Sequence, residues 1–160
     1  MIRKTFNLSF LLVLLILNGC GFKPMLAGSD YDFSIKVEKS TGNEQINSKI
    51  ENKLKVLKGI KRTFNISLNS GETKNILSKD SKGDPSIMEI VISLNYKIAE
   101  KSKILVNRSI SQKTTYNNIS DKFELSKSEE LLKDNLVENL VTDIINSASN
   151  LLQNPMVNDN

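Results

Sequence analysis

Met88, Ile90, Ile92, Leu94, Tyr96 and Ile98 fall at every second position without a fault. Side chains of a strand alternate between faces, so a period of two puts all six on one surface. Glu89, Ser93, Asn95 and Lys97 take the other surface, with Ile87 and Val91 among them. Such a segment belongs in a sheet with one dry face, and something must cover that face. The C-terminal third of the chain supplies a cover. Leu132, Leu136, Leu140 and Ile144 form one helical row, Val137, Val141 and Ile145 the next, and the face continues through Ala148, Leu151 and Leu152. This stripe is wider than the two-per-heptad seam of a coiled coil, so core packing is the expected use of a helix over 126–152. Ser126 and Glu129 have the spacing of a capping box at its start, and Pro155 ends it.

The remaining elements follow from the same two periods. Tyr31, Phe33, Ile35 and Val37 alternate with polar residues and predict a strand over 31–39. Thr41 and Glu44 fit a capping box, and Ile46, Ile50, Leu54 and Leu57 lie on one helical stripe with Glu51 and Lys55 paired on the wet side. Gly59 is the expected left-handed stop. Phe64, Ile66 and Leu68 give a second strand. Residues 69–85 form a long polar stretch with a small apolar island at Ile76-Leu77, and read as a turn. Asp80 and Asp84 flank Gly83, but the spacing fails the calcium-loop pattern and no Glu closes it, so no metal site is expected. Lys101-Ser102-Lys103 marks a turn between the long alternating strand and another over 104–116. The order strand, helix, strand, strand, strand, helix predicts an α+β fold. It is a two-layer sandwich in which two helices cover one face of a four-stranded mixed sheet. The other face is left to solvent, a ligand or a partner.

Composition narrows the chemistry. The chain has no histidine and one cysteine. Histidine-based acid–base catalysis, Ser-His-Asp and Cys-His pairs and most zinc sites are therefore excluded, as is an intramolecular disulfide. An enzyme would have to run on carboxylates, lysine or tyrosine. The one adjacent acid pair, Glu129-Glu130, falls in the expected first turn of the last helix, where acids suit the helix dipole. No enzymatic role and no cofactor are expected. The 22 basic residues, all lysine except Arg3, Arg62 and Arg108, are scattered among 18 acids, giving a net charge of +4. Neither a basic stripe nor an arginine cluster is present, so nucleic acid is not an expected partner.

The single cysteine has a particular setting. Arg3 and Lys4 precede an uninterrupted apolar run from Phe10 to Leu17. A spanning helix needs roughly 20 apolar residues, so this run is too short to cross a bilayer. A basic start, a short apolar stretch and a small residue at its end describe a secretory signal peptide over 1–19. Loss of Arg3 and Lys4 with it would lower the net charge from +4 to +2. Leu17-Asn18-Gly19-Cys20 resembles a bacterial lipobox, with cleavage between Gly19 and Cys20 and acylation of the Cys20 sulfur. Asn18 stands where Ala, Ser or Thr is commoner. Two or more acyl chains anchor a protein stably where one does not. Gly21 follows Cys20 where an aspartate would favour retention at the inner membrane in the enterobacterial rule. The outer membrane, on its periplasmic face, is the expected destination. Residues 20–30 then form a lipidated tether, 31–152 a single α+β domain and 153–160 a polar tail.

Cys20-Gly21-Phe22-Lys23-Pro24-Met25-Leu26 resembles the start of the LPS-assembly lipoprotein LptE family, especially its alphaproteobacterial forms. Those often read Cys-Gly-Phe, a basic residue, Pro, then Leu-Tyr, so Met25-Leu26 departs from the pattern. The element order and the passage from Tyr116-Asn117 into the last helix are similar as well. The resemblance implies a plug and assembly partner inside a large LptD-type outer-membrane β-barrel that inserts lipopolysaccharide, with lipopolysaccharide itself a second candidate partner. Cys20 carries over as the lipidated residue. Arg108 and Lys113, on the exposed part of the hairpin, are plausible lipopolysaccharide contacts, but by base rate no better than other surface cations, and the ligand-binding residues stay unassigned. The alternative is a generic outer-membrane lipoprotein acting as an auxiliary binding subunit of a lipid transporter.

Overall fold

The computed structural model describes residues 31–153; Gly19 and Cys20 lie outside them. The expected order is observed: β1 (Phe33–Gly42), α1 (Glu44–Leu54), β2 (Arg62–Lys79), β3 (Pro85–Glu100), β4 (Lys103–Asn117) and α2 (Lys122–Gln153). The strands lie in sequence order across one sheet. β1 is parallel to β2, and α1 is the crossover a parallel pair requires. β2, β3 and β4 form an antiparallel meander.

Both helices pack on one face. Phe33, Ile35, Phe64, Ile66, Leu68, Ile90, Ile92, Leu94, Tyr96 and Ile98 point into the layer between sheet and helices, where Ile46, Ile50, Leu54, Leu136, Val137, Leu140, Val141, Ile144 and Ile145 meet them. α2 runs along β3. The hydroxyl of Tyr116, opposite Met88, donates to Glu129, and the hydroxyl of Tyr96 meets Ser147. The helix rises about 27 Å between Glu129 and Ser147, and the strand advances about 26 Å between Met88 and Tyr96. The matching lengths keep the apolar row of the helix in step with β3 and its neighbour β4. Phe33 and Phe64 meet edge to face at 5.8 Å, and the Arg62 guanidinium lies 4.9 Å from the Phe64 ring centre.

Local signals were less exact than the periods. Thr41 does not cap α1: β1 runs on to Gly42, and Thr41 Oγ1 donates to Leu68 O at 3.4 Å. Gly42 turns the chain at φ 89°, and Asn43 is the cap, its Oδ1 accepting from Ile46 N at 3.1 Å. α2 begins at Lys122, four residues before Ser126, because Asp121 Oδ1 accepts from Phe123 N (3.0 Å) and Glu124 N (3.1 Å). Gly59 is not in the left-handed region. It is needed for close approach, since a Cβ there would lie 2.1 Å from Phe33 N. α1 ends at Leu54, with Lys55 as its right-handed cap.

The largest departure is the polar stretch over 69–85. Most of it is strand: β2 continues to Lys79 and pairs residue by residue with β3 through Ile76 opposite Met88. Only the segment from Asp80 to Asp84 turns. Asp80 Oδ1 accepts from Lys82 N (2.8 Å) and Asp84 N (2.9 Å), and Gly83 sits at φ 89°. These bonds are those of an Asx turn. Among the described residues no cluster of three metal-ligating side chains occurs.

Candidate functional site

The sheet face away from the helices is open. The register places Asn69, Asn95 and Ser109 in one row, Gly71, Ser93 and Ser111 in the next, and Ser67, Lys97 and Asn107 on the other side of the first. Asn, Ser and Thr side chains dominate it. Its charges include Lys97 and the pair Lys113–Glu89 at 3.3 Å. The Glu89 carboxyl is held below the usual range by donation from Asn75 and then from Lys113. Such a surface offers hydrogen-bond donors and acceptors at strand spacing but no apolar groove. It can hold polar groups or a polar protein wall, with Ile87 and Val91 as its apolar exceptions.

The two sheet edges differ. β1 is blunted by a register shift between Val37 and Lys39 and by the charges of Lys36, Glu38 and Lys39. β4 presents a 15-residue edge, unpaired on its outer side among the described residues, with only Lys103, Arg108 and Lys113 charged along it. The open face and the β4 edge together form the candidate interaction surface.

Arg108 and Lys113 do not act together. Arg108 lies opposite Tyr96 on the helix side and donates to Ser147 Oγ at 3.1 Å. Lys113 lies opposite Val91 on the open face, bonded to Glu89. The pairing register puts an even and an odd position on opposite sides of the sheet.

A second cluster joins α2 to the meander. Glu129 accepts from Tyr116 Oη and Lys74 Nζ, and Lys133 pairs with Glu72 at 2.7 Å with both side chains only 15% exposed. Burial pushes the Tyr116 hydroxyl far above its ordinary value, and the neighbouring Glu129 adds to this. Burial also opposes ionisation of Glu129, but its bonds to Lys74 and Tyr116 outweigh it and hold the carboxyl below the usual range. Glu129-Glu130 is therefore not in a helix first turn. Glu129 bonds the sheet, while Glu130 and Asp134 accept from Lys49 of α1, Asp134 at 2.6 Å. Both acids are committed to tying the two helices and the sheet together. Sequence spacing gave no hint of this, because Lys74 and Tyr116 are brought to Glu129 only by sheet pairing.

No protein-family model matches the sequence, and no curated protein sequence does. Solved structures do share the fold. Rare lipoprotein B from Shewanella oneidensis superposes with a TM-score of 0.58 at 14% identity, over 76% of this chain and 96% of that one. A lipoprotein B from Nitrosomonas europaea gives 0.52 at 18%, over 78% and 87%. A minor lipoprotein from Acinetobacter baumannii gives 0.50 at 10%, over 72% and 95%. At these identities the likeness is one of architecture: the four-stranded sheet with two helices on one face is a fold that bacterial lipoproteins use.

Proposed function

We propose that this chain is an outer-membrane lipoprotein, acylated at Cys20 and facing the periplasm, that serves as a non-enzymatic subunit of the lipopolysaccharide transport complex. It would plug and help assemble a large LptD-type barrel. The observation that carries the reading is the run Cys20-Gly21-Phe22-Lys23-Pro24 placed ahead of a fold that solved bacterial lipoproteins share. The open sheet face supports it. The interior of an outer-membrane barrel is polar, and a face of Asn, Ser and Thr suits contact with such a wall. Glu129 and Glu130, bonded to Lys74, Tyr116 and Lys49, support a role without catalysis.

Affinity purification of the mature protein from its own envelope tests this. A large β-barrel protein should copurify with it, and depletion should leave that barrel misassembled and lower surface lipopolysaccharide. Copurification with a periplasmic or inner-membrane transporter instead would support the auxiliary-subunit reading and overturn the translocon one.

A further inference from the structure

The two ends of the domain differ in charge. β1 and β2 start together, Phe33 beside Arg62, and Arg62 bonds Glu100 at the close of β3. This end therefore gathers the start of β1, the 55–61 loop and the β3–β4 turn. Its ionic side chains are Lys55, Lys58, Lys61, Arg62, Lys101 and Lys103 against Asp32, Glu51 and Glu100, with Glu51 bonded to Lys55 at 3.1 Å. Asp32 is bonded to Lys61 at 2.6 Å and Glu100 to Arg62 at 2.6 Å. Lys58, Lys101 and Lys103 form no ion pair among the described residues, although Lys101 lies near enough to Glu100 to favour its ionised form. At the opposite end, around the β2–β3 turn and the start of α2, Lys79, Lys82, Lys122 and Lys127 are equalled in number by Asp80, Asp84, Asp121 and Glu124, without ion pairs among them. β2 separates the two ends by about 55 Å.

Both ends expose apolar side chains, Phe123, Ile76 and Leu77 among them at the opposite end; what sets the basic end apart is the excess of lysine around its own. Ile60 is 96% exposed, Ile104 56% and Val56 55%. A hollow of about 730 Å³ lined by Glu100, Lys101, Ser102, Lys103 and Leu105 lies at the β3–β4 turn of the same end. Lysines around isolated apolar side chains describe a surface that rests on an anionic bilayer: the apolar groups enter the headgroup layer and the cations meet its negative potential. Tyr31, the first described residue, also lies at this end.

We infer that the end formed by the 55–61 loop and the β3–β4 turn docks on an anionic membrane surface, with Ile60 and Ile104 in the headgroup layer and Lys58, Lys101 and Lys103 over it. It gives the protein a second membrane contact, and it rests on the lipoprotein reading only for which membrane is met. The contact is electrostatic in part, so it weakens as salt shortens the screening length. Each lysine removed lowers the ratio of docked to undocked domain about fivefold at moderate salt, by roughly 1 kcal/mol per cation near such a surface.

The chain has no tryptophan, so one introduced at the tip reports its surroundings alone. Full-length protein with Ile60→Trp, purified from its membrane, is reconstituted into vesicles of phosphatidylcholine with or without about a third phosphatidylglycerol, a mixture chosen to supply negative surface potential. Leu77→Trp, at the opposite end, is the control. With anionic vesicles, Ile60→Trp should emit at shorter wavelength and be quenched by brominated lipid. The effect should be absent in neutral vesicles, in 1 M salt and in the Lys58→Gln/Lys101→Gln/Lys103→Gln variant. Leu77→Trp should stay in water throughout. Water-like emission from Ile60→Trp in anionic vesicles overturns the inference, as does equal quenching at Leu77→Trp. So does a shift that needs a copurifying protein instead of lipid. Mass spectrometry of Cys20 in the same sample separates the readings: an acylated chain with an unquenched tip leaves the lipoprotein reading standing and this inference overturned.

Discussion

The hydroxyls of Tyr96 and Ser147 lie 2.7 Å apart in the buried layer, one in the last third of β3 and the other near the end of α2. Ser147 also receives a hydrogen bond from Arg108 of β4 at 3.1 Å. One serine thus ties the helix to two strands, and it fixes where along the sheet the apolar row of α2 settles.

Removing either hydroxyl should destabilise the domain by about 1 kcal/mol, the usual net worth of an internal hydrogen bond. Tyr96→Phe and Ser147→Ala share one interaction, so the double variant should cost less than the two singles combined. Urea unfolding of the four proteins measures this. Additive costs would show that the bond contributes nothing of its own.

Gly42 and Gly83 share φ 89° but not their surroundings. A Cβ at Gly42 would fall 1.9 Å from Ser70 O, whereas nothing lies within 4 Å of one at Gly83. Gly83→Ala should cost about 1–2 kcal/mol, the penalty of a left-handed alanine. Gly42→Ala should cost more, since the β1–α1 junction must also open. Thermal unfolding should rank the variants in that order; equal melting temperatures would contradict the crowding at Ser70.

Acid should unfold the protein partly through Glu100 and Glu129. Both carboxyls are held below their ordinary range, Glu100 first by its bonds from Arg62 and Glu129 by Lys74 and Tyr116 against its burial. A depressed carboxyl adds stability that is complete above the unfolded value of about 4.3 and is lost as pH falls through the folded value. Stability should therefore be level from pH 7 to about 5 and decline below that. Glu100→Gln should lower stability at pH 7 and flatten part of the decline. An unchanged slope in a urea-midpoint series from pH 7 to 3 would remove Glu100 from the account.

Cys20→Ala should abolish incorporation of labelled palmitate and slow removal of the N-terminal segment. The two effects follow if the sulfur is acylated before cleavage. A labelled band that persists in the variant would refute acylation at Cys20.

Long periodic segments were legible residue by residue. The alternation of Met88 through Ile98 and the rows from Leu132 to Ile145 stand in the structure as the periods require, because burial of a face repeats every 2 or 3.6 residues and leaves its mark in sequence. The open sheet face was legible only as a consequence, the face left uncovered. The caps were misplaced by two residues at α1 and by five at α2. Ser, Thr, Asp and Asn are all competent caps, and which one is used depends on where the preceding strand or loop ends. The site cluster was not legible, since Lys74, Tyr116 and Glu129 come from three elements.

The sequence by itself determined the six elements, their order, the dry face and the absence of histidine chemistry. These depend on local periodicity and on which side chains exist at all. Tertiary structure decided how far β2 runs and what Glu129 does. Residues 71–79 carry little apolar signal, and they are strand because β3 offers them a row of hydrogen bonds and α2 supplies an acid, Glu129, for Lys74 and a lysine, Lys133, for Glu72. A partner's backbone can hold a polar segment extended where its own side chains give no such instruction.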